Sequence, residues 1–367
     1  MPTRATREPQ QLDVYAFHSG LAEWFKQHAR VLPWRGTHEP YHIWVSEIML
    51  QQTRVAAVLA HYNAFLQRFP TLVALALAPE QEVLAAWSGL GYYRRARMLH
   101  KAAQFVMEEL GGALPRMAQA LRQLPGVGDY TAAAIASIAF GERAAVLDGN
   151  VERVLLRVLG QPETAGKTAR AELVRHATML LEAGGTHSSA GDHNQAMMEL
   201  GAVVCLPRNP LCLRCPVLEQ CRTRGEHSAL KRPKMRSQEM AYMLATRKKR
   251  AVTEVLLVQR PPDASLMPGM WELPMLEAES LPDEPALLRI RHAITNTNYY
   301  VGVYPARAEM LALVPAKQQV WKRVSLLNGM ALTGLARKIL HRLELIQLEM
   351  PRPRTPKQNG RIGVELF

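Results

Sequence analysis

The sequence predicts a multi-domain chain, with an all-α region first and an α+β domain after it. Three observations predict this. Up to about residue 205 the apolar residues recur at spacings of three and four, the period of an amphipathic helix. Four cysteines then crowd into residues 205–221. Beyond about residue 243, β-branched residues partly alternate with polar ones, the period of a strand. With 367 residues and 48% hydrophobic content, the chain can build two or three sizeable cores.

Taken in order, the periodicity predicts helices over 12–27, 41–69, 80–88, 93–110 and 116–123, separated by breakers such as Pro40, Pro70, Gly89, Gly111 and Gly112. Further helices are expected over 130–140, 150–159 and 194–204. Residues 229–243 are polar and basic with a proline, the composition of a linker. AVTEVLLVQR (251–260) and YYVGVYPARAEMLAL (299–313) read as strands, and ALTGLARKILHRL (331–343) as an amphipathic helix. The basic, proline-containing stretch 349–367 has the composition of a disordered tail. Three units result: 10–228, the linker, and 244–348.

No apolar run reaches 18 residues, so no membrane-spanning helix is expected, and the first residues, MPTRATREPQQ, lack the apolar core of a secretory signal. A cytoplasmic protein is expected. The net charge of +13, from 45 basic against 32 acidic residues, favours a polyanionic partner such as nucleic acid.

Four stretches carry chemistry. WVSEIMLQQT (44–53) sets Glu47 in a helical apolar run, with Ile43, Trp44, Leu50 and Gln51 on its face. Glu47, Gln51 and Arg54 could form a solvated polar stripe; alternatively, a carboxyl among apolar groups has a raised pKa and can carry a proton at neutral pH. LPGVGDYTAAAIASIAF (124–140) contains Gly126 and Gly128, which allow a tight turn at a helix N-terminus whose amides can bind a phosphate; the plainer reading is a helix–turn–helix corner. LDGNVERVL (147–155) supplies Asp148, either an N-cap or a second functional carboxylate. Two carboxylates and a phosphate-binding hairpin suggest cleavage of a glycosidic bond through an oxocarbenium-like state.

Cys205, Cys212, Cys215 and Cys221 are spaced C-x6-C-x2-C-x5-C. Four thiolates on a short loop suit one metal centre, and the spacing leaves structural zinc and an iron–sulfur cluster both open. Arg208, Arg214, Arg222 and Arg224 in or beside the loop add positive charge for a phosphate backbone.

LPWR (32–35), WVSEIMLQQT (44–53), GLGYYRRAR (89–97), LPGVGDYTA (124–132), LDGNV (147–151), NQAMMELGA (194–202) and the cysteine loop, in this order, resemble the helix-hairpin-helix base-excision glycosylases, specifically the MutY adenine glycosylases. The resemblance covers about 190 residues. It implies that Glu47 protonates adenine at N7 and that Asp148 stabilises the sugar cation, with Tyr130 and Asn150 as hydrogen-bonding support. Trp34, Arg35 and Gln195 match residues that hold the flipped adenine. Gln52, Leu90 and Tyr92 match side chains wedged into the duplex, and Gly126, Val127 and Gly128 match the DNA-binding hairpin. The four cysteines are implied to bind a [4Fe-4S] cluster. Related endonucleases carry a lysine nucleophile where this chain has Tyr130, which implies a monofunctional glycosylase without a strong lyase step.

EVLLVQRPP (254–262) and GMWELPMLE (269–277) resemble a Nudix-like domain that reads 8-oxoguanine in this family. The acidic magnesium-binding helix of Nudix hydrolases is missing, so recognition without pyrophosphatase activity is implied. Aligned through RHA at 291–293, the recognition loop reads Ile294, Thr295, Asn296, with Thr295 as the candidate contact. The implied partner is double-stranded DNA containing adenine opposite 8-oxoguanine or guanine, bound by a monomer in the bacterial cytoplasm at the nucleoid.

Overall fold

The computed structural model describes residues 12–162, 167–185, 188–227, 235–277, 280–294 and 296–347. The N-terminal unit is helical. It runs α1 (Val14–His28), α2 (Pro40–Leu50), α3 (Val55–Arg68), α4 (Leu72–Leu77), α5 (Glu80–Ala86), α6 (Arg94–Glu109), α7 (Ala118–Leu121), α8 (Asp129–Phe140), α9 (Gly149–Leu159), α10 (Lys167–Glu182) and α11 (Ala190–Val203). Its start signals follow sequence chemistry: Asp13 accepts from the Tyr15 and Ala16 amides, and α2 opens with Glu39 as cap and Pro40 in the first turn.

α2 is the central helix. Tyr41, Ile43, Trp44, Val45, Ser46, Glu47, Ile48 and Met49 are all buried, so Glu47 belongs to no solvated stripe. Around it close Phe17, Leu21, Phe65, Trp87, Leu99, Ile135, Leu155 and Leu200, each 1% exposed or less.

Periodicity missed several boundaries. The single helix expected over 41–69 is two, α2 and α3, because the chain turns at Gln52 with φ of 53°. The helix expected over 116–123 shrinks to one turn, α7, and α11 starts at Ala190, four residues before the predicted start. α4 and α10 were not foreseen.

Among the described residues the C-terminal unit holds two sheets. β1 (Arg236–Leu244), β5 (Met275–Leu276), β6 (Leu288–Ile294) and β7 (Thr297–Pro305) form one in the order β5-β1-β7-β6. β1 runs parallel to β7 from Arg236↔Thr297 to Leu244↔Pro305, and β6 is antiparallel to β7. β2 (Thr246–Lys249), β3 (Val252–Gln259) and β4 (Trp271–Glu272) form the other, with β8 (Val320–Arg323) on β3. α12 (Ala308–Ala312) and α13 (Gly334–Arg342) complete the unit. Leu335, Ile339 and Leu340 of α13 join Tyr242, Val255, Val301 and Val303 in its core. Residues 236–243, assigned to the linker by composition, are strand. Arg236 to Glu239 are exposed, which explains their polar character, while Ala241 to Met243 are buried. The strand expected over 299–313 stops at Pro305, and α12 follows.

The two units meet at a joint. The Leu332 carbonyl accepts from Ser88 Oγ and Tyr93 Oη, both at 3.3 Å, and Arg337 Nε donates to Ser88 Oγ at 2.8 Å. Met270 and Ala331 are buried in the helical core. Among the described residues no helix is long and apolar enough to cross a membrane.

Candidate active site

A cavity of about 780 Å³ opens between α2, α8, α9 and α11. Trp34, Arg35, Glu47, Gln52, Tyr130, Asp148, Asn150 and Gln195 all line it, so eight of the residues singled out from sequence meet in one place.

Glu47 projects from the middle of α2 and is 4% exposed. Burial pushes its carboxyl up to about 7; the Tyr130 hydrogen bond opposes this, the nearby Asp148 adds to it, and Arg35 opposes it. Tyr130, at the start of α8, donates its hydroxyl to Glu47 Oε2 at 2.5 Å. Burial and the two carboxylates hold the Tyr130 hydroxyl well above its usual range, so it stays a donor. At neutral pH Glu47 can therefore carry a proton into the cavity.

Asp148 is both things that the sequence allowed. It is the N-cap of α9, accepting from the amides of Asn150 at 3.0 Å and Val151 at 2.8 Å through Oδ1. Its Oδ2 accepts from Asn150 Nδ2 at 2.9 Å and lines the same cavity as Glu47. Burial lifts the Asp148 carboxyl; hydrogen bonds from Val151 and Asn150, and the Arg153 guanidinium, oppose the lift. Three donors favour its anion. Two carboxyls in one cavity thus have different environments: one hydrogen bond works against burial at Glu47, and three do so at Asp148.

Arg153 extends this shell. It donates to Asn150 Oδ1 at 2.9 Å, to the Gly201 carbonyl at 2.7 Å and to the Cys205 carbonyl at 2.8 Å. Gly201 lets α11 approach: a Cβ there would sit 2.6 Å from Asn150 Cβ. Gly201→Ala is therefore expected to shift Asn150 off Asp148. The overpacking costs about 1–3 kcal/mol and slows turnover, checked by thermal melting alongside single-turnover rates. A glycine inside the predicted helix NQAMMELGA was the available signal for this contact.

Trp34, 6% exposed, packs edge-on to Tyr62 at a centroid distance of 5.4 Å. Arg35 is fixed by Glu199, which accepts from Arg35 Nη2 at 2.8 Å and from Arg30 Nη2 at 2.7 Å. Burial alone would raise Glu199, but hydrogen bonds from Arg30 and Arg35 outweigh it and bring the carboxyl down to about 2. Gln195 is half-buried on α11. Neither Arg30 nor Glu199 was singled out from sequence; their partners lie 169 residues apart, beyond any local pattern.

Gln52 and Tyr92 face solvent beside the cavity, and Gln52, Tyr92, Pro125 and Gly126 share an adjoining groove. Leu90 does not join them. It is 6% exposed and its side chain packs in the helical core in this conformation. In the hairpin Gly126 has φ of 77°, and a Cβ there would meet Met98 Cβ at 2.5 Å, so only glycine fits. Gly128 caps α8, and Val127 anchors the turn at 7% exposure. Thr295 lies outside the described residues.

The four cysteines are free thiols, each partly buried. Among the described residues no group of three or more His, Cys, Asp or Glu is placed to hold a single metal ion. The thiols nevertheless share one neighbourhood: burial pushes Cys215 up to about 11, and Cys205, Cys221 and Cys212 add to the push. Arg157 Nη1 donates to Cys205 Sγ at 3.3 Å, and the Arg224 amide to Cys221 Sγ at 3.4 Å. Such donors suit thiolate sulfurs that carry negative charge.

Comparison with known proteins gives this geometry its context. The HhH-GPD superfamily base excision DNA repair protein family matches residues 45–177. Adenine DNA glycosylase of Mus musculus is 41% identical over 326 residues, covering 73% of this chain and 62% of that protein. Adenine DNA glycosylase of Homo sapiens is 49% identical over 223 residues, covering 58% of this chain and 40% of that protein. The chain thus spans less than two thirds of these relatives' length. The solved structure of a thermostable thymine-DNA glycosylase aligns with a TM-score of 0.52 at 31% identity, over 57% of this chain and 96% of that one. On that near-complete match and the matched residues 45–177, the chain belongs to the HhH-GPD superfamily of base excision DNA repair proteins.

Proposed function

We propose that this protein binds duplex DNA and hydrolyses the N-glycosidic bond of adenine mispaired with 8-oxoguanine or guanine. The observation that carries this reading is Glu47, a buried acid able to hold its proton at about neutral pH, sharing a cavity with Asp148. The mispaired adenine swings out of the helix into the cavity, between Trp34, Arg35 and Gln195. Glu47 gives its proton to N7, which turns the base into a neutral leaving group. Asp148 stabilises the positive sugar until water adds, as a carboxylate does in glycoside hydrolysis. Tyr130 keeps Glu47 aimed, and its hydroxyl is no Schiff-base nucleophile, so the enzyme is monofunctional. The hairpin Gly126–Gly128 holds a backbone phosphate, while Gln52 and Tyr92 fill the space left by the base.

The donor set of Cys205, Cys212, Cys215 and Cys221, all free and within electrostatic reach of one another, supports a [4Fe-4S] cluster, which when bound closes the loop as a structural element. The C-terminal unit is read as the Nudix-like module facing the opposite base, with Thr295 as its candidate contact.

The test is single-turnover cleavage of duplexes holding A opposite 8-oxoguanine, A opposite G, and T opposite G. Adenine release from the first two is expected, with no borohydride-trapped enzyme–DNA adduct. Release of neither adenine sinks the reading; efficient trapping sinks the monofunctional assignment. Release of thymine alone would install the second reading, a thymine-directed glycosylase, which the 31% identity to a thymine-DNA glycosylase favours.

A further inference from the structure

Arg95, on the first turn of α6, donates to six acceptors from two separate turns. Its Nη1 reaches the carbonyls of Ile48 and Met49, both at 2.9 Å, and that of Gln51. Its Nη2 reaches Thr53 Oγ1 at 2.9 Å and the carbonyls of Leu90 at 3.4 Å and Gly91 at 3.2 Å. The guanidinium carbon lies 5.6 Å from the centre of the Trp87 ring and 5.4 Å from that of Tyr92. Burial brings its pKa down to about 10, and the buried Nε has no hydrogen-bond partner. All of its reach is spent on the two turns.

Those turns are unusual. Each holds a non-glycine residue in the left-handed region, Gln52 at 53° and Tyr92 at 48°, which persists only where surrounding contacts over-determine it. Gln52 and Tyr92 are also the exposed side chains beside the cavity. The first turn is the C-terminal end of α2, whose last carbonyls have no helical donor and take Arg95 instead. α2 carries Glu47.

We propose that Arg95 is a positioning residue that locks the Gln52 and Tyr92 turns to each other and to the end of the active-site helix, so that base extrusion and placement of the acid occur in one rigid frame. This rests on the base-extrusion reading above. A lysine cannot substitute, because a point ammonium with three donors cannot fork to both turns as a planar guanidinium does.

The test uses the full chain with duplex DNA in which 2-aminopurine neighbours a 2′-fluoro-deoxyadenosine opposite 8-oxoguanine, so that loss of stacking is read without bond cleavage. The parent protein is expected to raise the fluorescence. Arg95→Met and Arg95→Lys are expected to abolish the rise while melting cooperatively and binding undamaged duplex as the parent does. On cleavable duplex, kcat falls about 10²-fold in both variants, with the midpoint for DNA unchanged. Arg95→Ala should recover part of the fluorescence on addition of methylguanidinium. Full fluorescence in the Met variant overturns the proposal. Should that variant not fold, absence of methylguanidinium rescue in the Ala variant overturns it instead. A parent that unstacks the probe but releases no adenine leaves Arg95 in place and removes the glycosylase reading. A parent that never unstacks it overturns both.

Discussion

Glu47→Gln is expected to lower single-turnover base release by about 10³-fold, to leave duplex binding nearly unchanged, and to make the folded protein more stable above neutral pH. The three effects have one cause. Glu47 is 4% exposed and its carboxyl titrates at about 7, above its ordinary value of 4.5, chiefly through burial. Glutamine has the same shape and can still accept the Tyr130 hydroxyl, but it has no proton to give. For the parent, activity carried by the protonated acid is present below pH 7 and declines as pH rises through about 7. Stability moves in the same direction: a folded pKa above the unfolded one contributes stability that is complete below about 4.5 and lost by the time pH passes 7. The variant has no such loss, so at pH 8 it should exceed the parent by about 3 kcal/mol. Denaturant titrations of both proteins at pH 5 and pH 8 measure this. Parallel curves at the two pH values would show that the acid is not buried as described.

Asp148→Asn separates the cap from the chemistry. Asparagine caps a helix as well as aspartate does, so α9 should keep its start and the melting temperature should hardly move. The variant nevertheless loses the negative charge facing the cavity, and base release is expected to fall about 10²–10³-fold. Asp148→Ala should add a loss of about 1 kcal/mol from the missing cap. The comparison of Asn and Ala variants, by melting and by single-turnover rate, assigns each part. An Asn variant with parental rates would leave Asp148 as a cap and nothing more.

The parts of this protein that were legible in its sequence are those encoded over a few neighbouring residues. Glu47 in an apolar run, Gly126 and Gly128 before a helix, and Asp148 before Asn150 each announce themselves within one turn. What was not legible depends on distant partners. LQQTR holds no glycine or proline, so nothing local ends α2 at Leu50; the break is held by Arg95, more than forty residues on. β1 looked like linker because its first four residues are exposed, and it becomes strand only by pairing with β7, some sixty residues later. Leu90 carried the family pattern for a wedge yet is buried, because pattern gives residue type and not side-chain direction. Arg153 gains its role from the Gly201 carbonyl on α11, and Glu199 from the donors Arg30 and Arg35 between α1 and α2.

The joint between the two units is made largely of main chain. Ser88 and Tyr93 both seek the Leu332 carbonyl, Arg97 the Pro268 carbonyl at 2.5 Å, and Gln81 the Gly269 carbonyl at 3.2 Å. Every peptide carries such a carbonyl, whatever its side chain. On the C-terminal side the acceptors are therefore main chain, while the Arg337 guanidinium and the buried Met270 and Ala331 add side-chain contacts. Loss of the donors Ser88, Tyr93 or Arg97 is expected to weaken the joint, and so is substitution of Gly269, with φ of 63°, or of the fully buried Leu332.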